Sequence, residues 1–317
     1  MTLRTPSRTS VEIATQPDCW SRAVASLPAH ADVLPRRGER VAVVGCGTSW
    51  FMALAHARLR EAGGHGETHA FAASEFLPGR NYDRVLAITR SGTTTEVLQL
   101  LARIKGTVPT AVITAVADSP VADAADSVAV LDFADEESVV QTRFATTALA
   151  LLRGHLESVG ALPAGVRPLA RAVEDARTAV AMPLAAPLLT AEQVTFLGVG
   201  WTYGLALEAG LKMREAAGVW TEAYPAMEYR HGPISIAAPG RVTWMLGTAP
   251  QGLADDVVRA GGTFVGASGQ AAEDLDPMAD LILAQRLAVA LAEAGGQDPD
   301  RPRNLTRSVV LAEADHA

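Results

Sequence analysis

The chain is 317 residues long, 49% hydrophobic and 20% charged, with a formal net charge of −8. That length suits two buried cores rather than one. An acidic chain with only 5% aromatic residues argues against a basic, base-stacking nucleic-acid surface.

Cys19 and Cys46 are the two cysteines. They have neither metal-ligand nor CxxC spacing, so no metal site and no disulfide framework is expected. The opening residues lack the apolar core of a secretory leader, and no apolar run reaches membrane-spanning length. A soluble cytoplasmic protein is the expectation.

The stretch to about Arg40 is polar and contains proline, with a short helix expected near Asp18–Leu27. A β-α alternation then begins. Val41–Val44 reads as a buried strand, Trp50–Ala62 as a helix ended by Gly63 and Gly64, and Val85–Ile88 as a second strand. Glu96–Lys105 is a helix, Ala111–Thr114 and Val128–Leu131 are strands, and Thr142–Leu156 is a helix. Gly160–Pro187, with four prolines and a helical run over Leu169–Ala181, reads as a connection. The pattern restarts with strands at Val194–Leu197, Val242–Leu246 and Phe264–Gly266. Helices are expected at Tyr203–Ala217, Ala254–Ala260 and Met278–Ala294. Short strands alternating with helices predict parallel sheets covered on both faces. Both halves open with an apolar strand running into a glycine turn, VAVVGCGTS and VTFLGVGWT. Ligands of open α/β sheets sit beyond such strand ends.

Gly45–Ser49 (GCGTS) permits a tight turn whose free amides and Ser49 hydroxyl suit an anion, though a plain strand-to-helix turn has the same glycines. Thr89–Glu96 (TRSGTTTE) packs hydroxyls and the Arg90 guanidinium around one glycine at a helix start. A capping serine or threonine followed by glutamate explains one or two of these hydroxyls but not the density, which suits a phosphate. Glu208, Lys212 and Glu215 fall on one helix face. By spacing alone they read as a solvated stripe with one ion pair. His231, before Gly-Pro, reads alone as structural, and Asp300–Val310 reads as a docked terminus.

Together these stretches resemble one family. From EIATQP (Glu12–Pro17) through GCGTS, SGTTTE, ALEAGLKMREAAG, AYPAMEYRHGP and DPDRPRNLTRSV, the chain is similar to SIS (sugar isomerase) proteins. The likeness is to the isomerase half of glutamine–fructose-6-phosphate amidotransferase and to stand-alone SIS isomerases and deaminases near tagatose-6-phosphate isomerase. ESVVQT (Glu137–Thr142) is closer to the stand-alone enzymes.

The resemblance implies two tandem SIS domains, each a doubly wound parallel sheet flanked by helices. An N-terminal segment would cover 1–34, the first domain 35–160, a linker with a helix 161–187, and the second domain with a C-terminal tail 188–317. It implies a phosphate cradle of Ser49, Thr89, Arg90, Ser91 and Thr94, with Gly47, Thr48, Gln141, Glu208 and Lys212 supporting the sugar. Glu215 matches the catalytic base and His231 the ring-opening histidine, which reaches a neighbouring subunit's site, so a homodimer with shared sites is implied. No cofactor, metal, nucleic acid or membrane partner is implied.

Two departures bear on the chemistry. No glutaminase domain is present in the sequence, which implies no self-contained glutamine-driven amination. Arg307 stands where the amidotransferases carry a Schiff-base lysine, and a guanidinium that stays protonated is a poor imine-former. The implied function is C2 proton abstraction from a 2-amino- or 2-acetamido-hexose 6-phosphate, ending in dehydration, isomerisation or deamination. The alternative is a sugar-phosphate sensor without catalysis, which needs Ser49 and the hydroxyl loop but not Glu215 or His231.

Overall fold

The structure is a computed structural model and describes residues 5–267 and 274–311. Two helices, α1 (Arg8–Ala14) and α2 (Gln16–Ala25), precede the first sheet. Then follow β1 (Val41–Gly45), α3 (Thr48–Ala62), β2 (Thr68–Ala72), β3 (Arg84–Ile88), α4 (Thr95–Ile104), β4 (Thr110–Thr114), α5 (Pro120–Ala124), β5 (Ser127–Val130) and α6 (Arg143–Ser158). The second half holds α7 (Leu169–Ala181), α8 (Ala186–Leu189), β6 (Gln193–Gly198), α9 (Thr202–Ala217), β7 (Thr221–Pro225), β8 (Arg241–Leu246), α10 (Leu253–Arg259), β9 (Thr263–Val265) and α11 (Pro277–Ala294).

The strands form two wholly parallel sheets, ordered β2-β1-β3-β4-β5 and β7-β6-β8-β9. Strands buried on both faces read as continuous apolar runs, and β1, β3 and β4 are buried along their whole length. The edge strands β2 (THAFA) and β7 (TEAYP) are half-exposed and carry no such run. After β7 come 3-10 turns at Glu228–His231 and Pro233–Ile236.

The residues before β1 are part of the core. Trp20 of α2 is fully enclosed and donates its indole N–H to Thr146 of α6 at 3.0 Å. Thr146 donates to Gln16 at 2.7 Å, and Gln16 donates to Gln285 of α11 at 2.7 Å. One polar chain thus links both halves. Helix α7, inside the expected connection, buries Ala172, Val173, Ala176 and Ala179, so that stretch carries core packing as well as connecting.

The helices that open each half, α3 after β1 and α9 after β6, lie against each other. The approach is tightest at Gly204, where a Cβ would stand 2.5 Å from the Phe51 carbonyl oxygen. Only glycine fits so close a backbone contact. This crossing carries the α9 side chains beneath the first sheet's carboxyl edge. Among the described residues, no helix is long and apolar enough to cross a membrane.

Candidate active site

In the first sheet the chain leaves β1 toward β2 on one side and leaves β3 toward β4 on the other, so the crevice between the carboxyl ends of β1 and β3 is a topological switch point. A cleft of about 190 Å³ opens there. Gly47, Thr48 and Ser49 wall one side, and Thr89, Arg90, Ser91 and Thr94 the other. Gln141, Glu215 and Arg307 complete the lining. A larger cavity of about 340 Å³ occupies the equivalent place at the ends of β6 and β8. It holds none of the candidate site residues. Its Arg167 is paired with Asp175, and its Asp276 with Arg153.

Local geometry fixes the hydroxyl loop. Gly92 has φ +67°, and a Cβ there would meet the Ser119 side chain at 2.2 Å, so no other residue fits the turn. Ser91 Oγ accepts from Thr93 N–H (3.2 Å) and from the Thr93 hydroxyl (2.9 Å). Thr94 is the N-cap of α4 but makes no side-chain cap bond. Thr89 Oγ1 is buried without a hydrogen-bond partner among the described residues. Buried polar atoms are nearly always paired, so an orphan hydroxyl lining a cleft suits a ligand that supplies its partner.

The charged face of α9 is enclosed, not solvated. Glu208 and Lys212 are buried and Glu215 is nearly so at the cleft wall. Lys212 Nζ donates to Thr48 Oγ1 at 3.0 Å and to a Glu215 carboxylate oxygen, and stands 3.5 Å from Glu208. Burial pushes the Glu208 carboxyl up to about 8, against the pull of the Lys212 charge. Burial works against the Lys212 ammonium, but the Glu208 and Glu215 carboxylates outweigh it and hold its pKa above the ordinary value. The arrangement is a buried acid, a fixed ammonium and a second acid at the cleft wall.

The two arginines sit differently from a free cationic cradle. Arg90 is buried and donates to the carbonyls of Ser138 (3.1 Å), Val139 (3.4 Å) and Arg307 (2.7 Å), with Glu136 at 3.6 Å. Its charge therefore already faces a carboxylate, while the residue still lines the cleft. Arg307 pairs with Asp135 at 2.5 Å and donates to the Glu136 carbonyl. His231 is exposed on its 3-10 turn and does not line this chain's cleft.

Sequence reasoning did not single out Cys46 and Val139, which also line the cleft, nor the acids that hold its rim. Burial, with the nearby Glu96 adding to it, pushes the Cys46 thiol up to about 11, which keeps it from thiolate chemistry. Glu136 accepts from Thr142 N–H (2.6 Å), Thr142 hydroxyl (2.8 Å) and Arg143 N–H (2.7 Å) at the start of α6. Glu12 of α1 accepts from Glu137 N–H (2.6 Å), Ser138 N–H (3.3 Å) and the Ser138 hydroxyl. The C-terminal tail lies over the mouth: Thr95 N–H donates to Val309 O (3.1 Å), and Ser308 shares a 2.9 Å contact with Thr93.

Residues 36–153 match the family model described as the SIS domain. This chain carries an SIS domain. Among curated proteins, the chain is 27% identical to glutamine–fructose-6-phosphate aminotransferase of Sulfurisphaera tokodaii over 95% of its length and 56% of that protein's. It is 31% identical to the Symbiobacterium thermophilum protein of the same name, over 86% of this chain and 52% of that one. It thus spans just over half the length of these relatives.

Its fold is shared with glucosamine-6-phosphate deaminase of Thermotoga maritima, with a TM-score of 0.81 at 24% identity, covering 96% of this chain and 100% of that one. It is also shared with tagatose-6-phosphate ketose/aldose isomerase of Escherichia coli, with a TM-score of 0.74 at 17% identity and 97% of each chain covered. The fold is α/β with two parallel sheets flanked by helices.

Proposed function

We propose that the SIS chain is a cytoplasmic sugar-phosphate enzyme acting on a 2-amino- or 2-acetamido-hexose 6-phosphate by C2 proton abstraction. The observation that carries this reading is one cleft that joins the Glu215 carboxylate to the Ser49, Thr89, Ser91 and Thr94 hydroxyls. The relatives named for sugar-phosphate amination, deamination and isomerisation support the substrate class. In this reading the second half, 188–317, is a second SIS-like domain, after a first at 35–160, an N-terminal segment 1–34 and a linker with a helix at 161–187.

The phosphate takes the hydroxyls and the amides where α3 and α4 begin, and Gly47, Thr48 and Gln141 border the sugar. Glu215 removes the C2 proton of the open-chain aldose, and the C–H electron pair moves toward C1 as the carbonyl oxygen takes up charge. Lys212 holds the base in place, and Glu208 holds a proton behind it. Protonation at C1 completes isomerisation. From a free 2-amino sugar, hydrolysis of the resulting imine releases ammonia. From a 2-acetamido sugar, loss of the 3-hydroxyl as water is the natural exit. His231, exposed and outside its own cleft, completes ring opening in the site of a second copy of the chain. Arg307 orients substrate oxygens from the tail without forming an imine.

The test incubates the protein with glucosamine 6-phosphate, N-acetylglucosamine 6-phosphate and fructose 6-phosphate in deuterated water and reads products by mass. Exchange of the C2 proton, read as deuterium at C1 of a ketose product or at C2 of recovered aldose and lost in Glu215→Gln, is the expected result. A product lighter by the mass of water marks dehydration, and borohydride traps no sugar adduct. Binding without exchange or turnover would identify a sensor instead.

A further inference from the structure

Arg90 sits in the middle of the hydroxyl loop yet donates to none of that loop's side chains among the described residues. Its three hydrogen bonds go to main-chain carbonyls on two segments distant in sequence: Ser138 and Val139 on the loop before α6, and Arg307 on the C-terminal tail. Both segments line the cleft, through Val139 and Gln141 on one side and Leu305–Val309 on the other. The charge of Arg90 faces Glu136, whose other oxygen is fixed at the start of α6. A phosphate would have to compete for this guanidinium with a built-in carboxylate and three carbonyls.

We propose that Arg90 is a positioning residue that pins the tail at Arg307 to the 138–139 loop, so that both rims of the cleft are presented to substrate together. This rests on the sugar-phosphate reading of the site. Three carbonyls diverging around one group demand the planar fork of a guanidinium, and an ammonium carries equal charge without the fork. The remaining holds are arranged around the same pin. Glu12 secures the loop from the α1 side at Glu137 and Ser138, and Asp135 secures the Arg307 side chain. Phosphate is then held by neutral hydroxyls and amides rather than by this cation.

Arg90→Lys and Arg90→Gln in the full chain separate the roles. The readouts are trypsin cleavage after Arg307, the Kd of inorganic phosphate by calorimetry, and kcat and KM for C2 proton exchange. Both variants are expected to release the tail at least tenfold faster. Phosphate Kd and KM should change less than threefold while kcat falls at least tenfold. Retention of tail protection in both variants overturns the proposal. So does the charge pattern, in which lysine keeps phosphate affinity and glutamine loses it tenfold or more. If the glutamine variant does not fold, the lysine variant, which keeps a cation beside Glu136, decides by the same readouts. Should the wild type bind no phosphate and exchange no proton, the functional reading fails, and the cleavage rates still judge the pin.

Discussion

Lys212 Nζ stands 3.5 Å from a carboxylate oxygen of Glu208 one turn earlier on α9, with both side chains enclosed by protein. The Glu208 carboxyl is raised from 4.5 to about 8. Between those values the folded chain holds a proton that the unfolded chain releases, so this group's stabilisation is complete below about 4.5 and is lost as pH rises through about 8. Glu208→Gln is expected to remove that slope and to stand relatively higher than wild type at pH 8, measured as urea midpoints across the range. Lys212→Met should act in the opposite sense, costing about 3–5 kcal/mol because it strips the partner from buried acids. A Lys212→Met variant as stable as wild type would overturn this account of the α9 face.

A histidine cluster in the first half gives an acid-side prediction. His56 is fully buried with both ring nitrogens unpartnered, and the His65 and His155 rings meet edge-on at 5.6 Å. Burial, with the Arg60, His155 and His65 charges adding to it, lowers His56 from 6.5 to about 3. Burial and Arg60 likewise lower His65 to about 4. Here the unfolded chain takes up the protons first, so stability is present above about 6.5 and is lost as pH falls toward 3. At pH 5 the His56 share is about 2 kcal/mol. His56→Leu should flatten the acid limb of a stability-versus-pH curve; an unchanged limb would remove His56 as its source.

The phosphate reading predicts that hexosamine 6-phosphates bind and the parent sugars do not. Hydrogen bonds to a charged group contribute roughly 1.5–3 kcal/mol each. Ser91→Ala and Thr94→Ala should therefore each raise the Kd for glucosamine 6-phosphate by about 10- to 150-fold, with thermal unfolding little changed. Equal affinity for glucosamine and its phosphate by calorimetry would reject the cradle.

How far the sequence carried this argument depended on burial. The strands buried on both faces, from Val41–Gly45 to Arg241–Leu246, announce themselves as apolar runs. Thr68–Ala72 and Thr221–Pro225 do not, because these half-exposed strands interleave polar residues with small or aromatic ones. The glycine turns and the hydroxyl loop were legible because turn chemistry is local. The α9 stripe was not: Glu208 and Lys212 are spaced like a solvated pair, and only the folded chain encloses them, with Lys212 against Thr48 of α3. The partners of Arg90 were hidden for a similar reason. Its neighbours in sequence are hydroxyls, while its partners at 138, 139 and 307 are reached only through the fold.

His231 supplies the assembly prediction. It is exposed on its turn and absent from its own chain's cleft, so a second copy must bring it to a site if it takes part in ring opening. Mixtures of His231→Ala and Glu215→Gln, each inactive alone, should regain part of the wild-type rate in mixed dimers. An active protein that sediments as a monomer would end the idea.

The contact at Gly204 has a consequence for how this chain can be taken apart. With a backbone carbonyl 2.5 Å from where a Cβ would be, α3 and α9 are seated on one another with no layer of side chains to act as lubricant. Cutting the gene between the halves would bare the alanine-rich α3 on one fragment and the alanine- and glycine-rich α9 on the other. The same cut would strand Lys212 away from Thr48. The repeated architecture therefore does not make the halves interchangeable parts: produced separately, each is expected to aggregate, and co-expression is the condition under which they would reassemble.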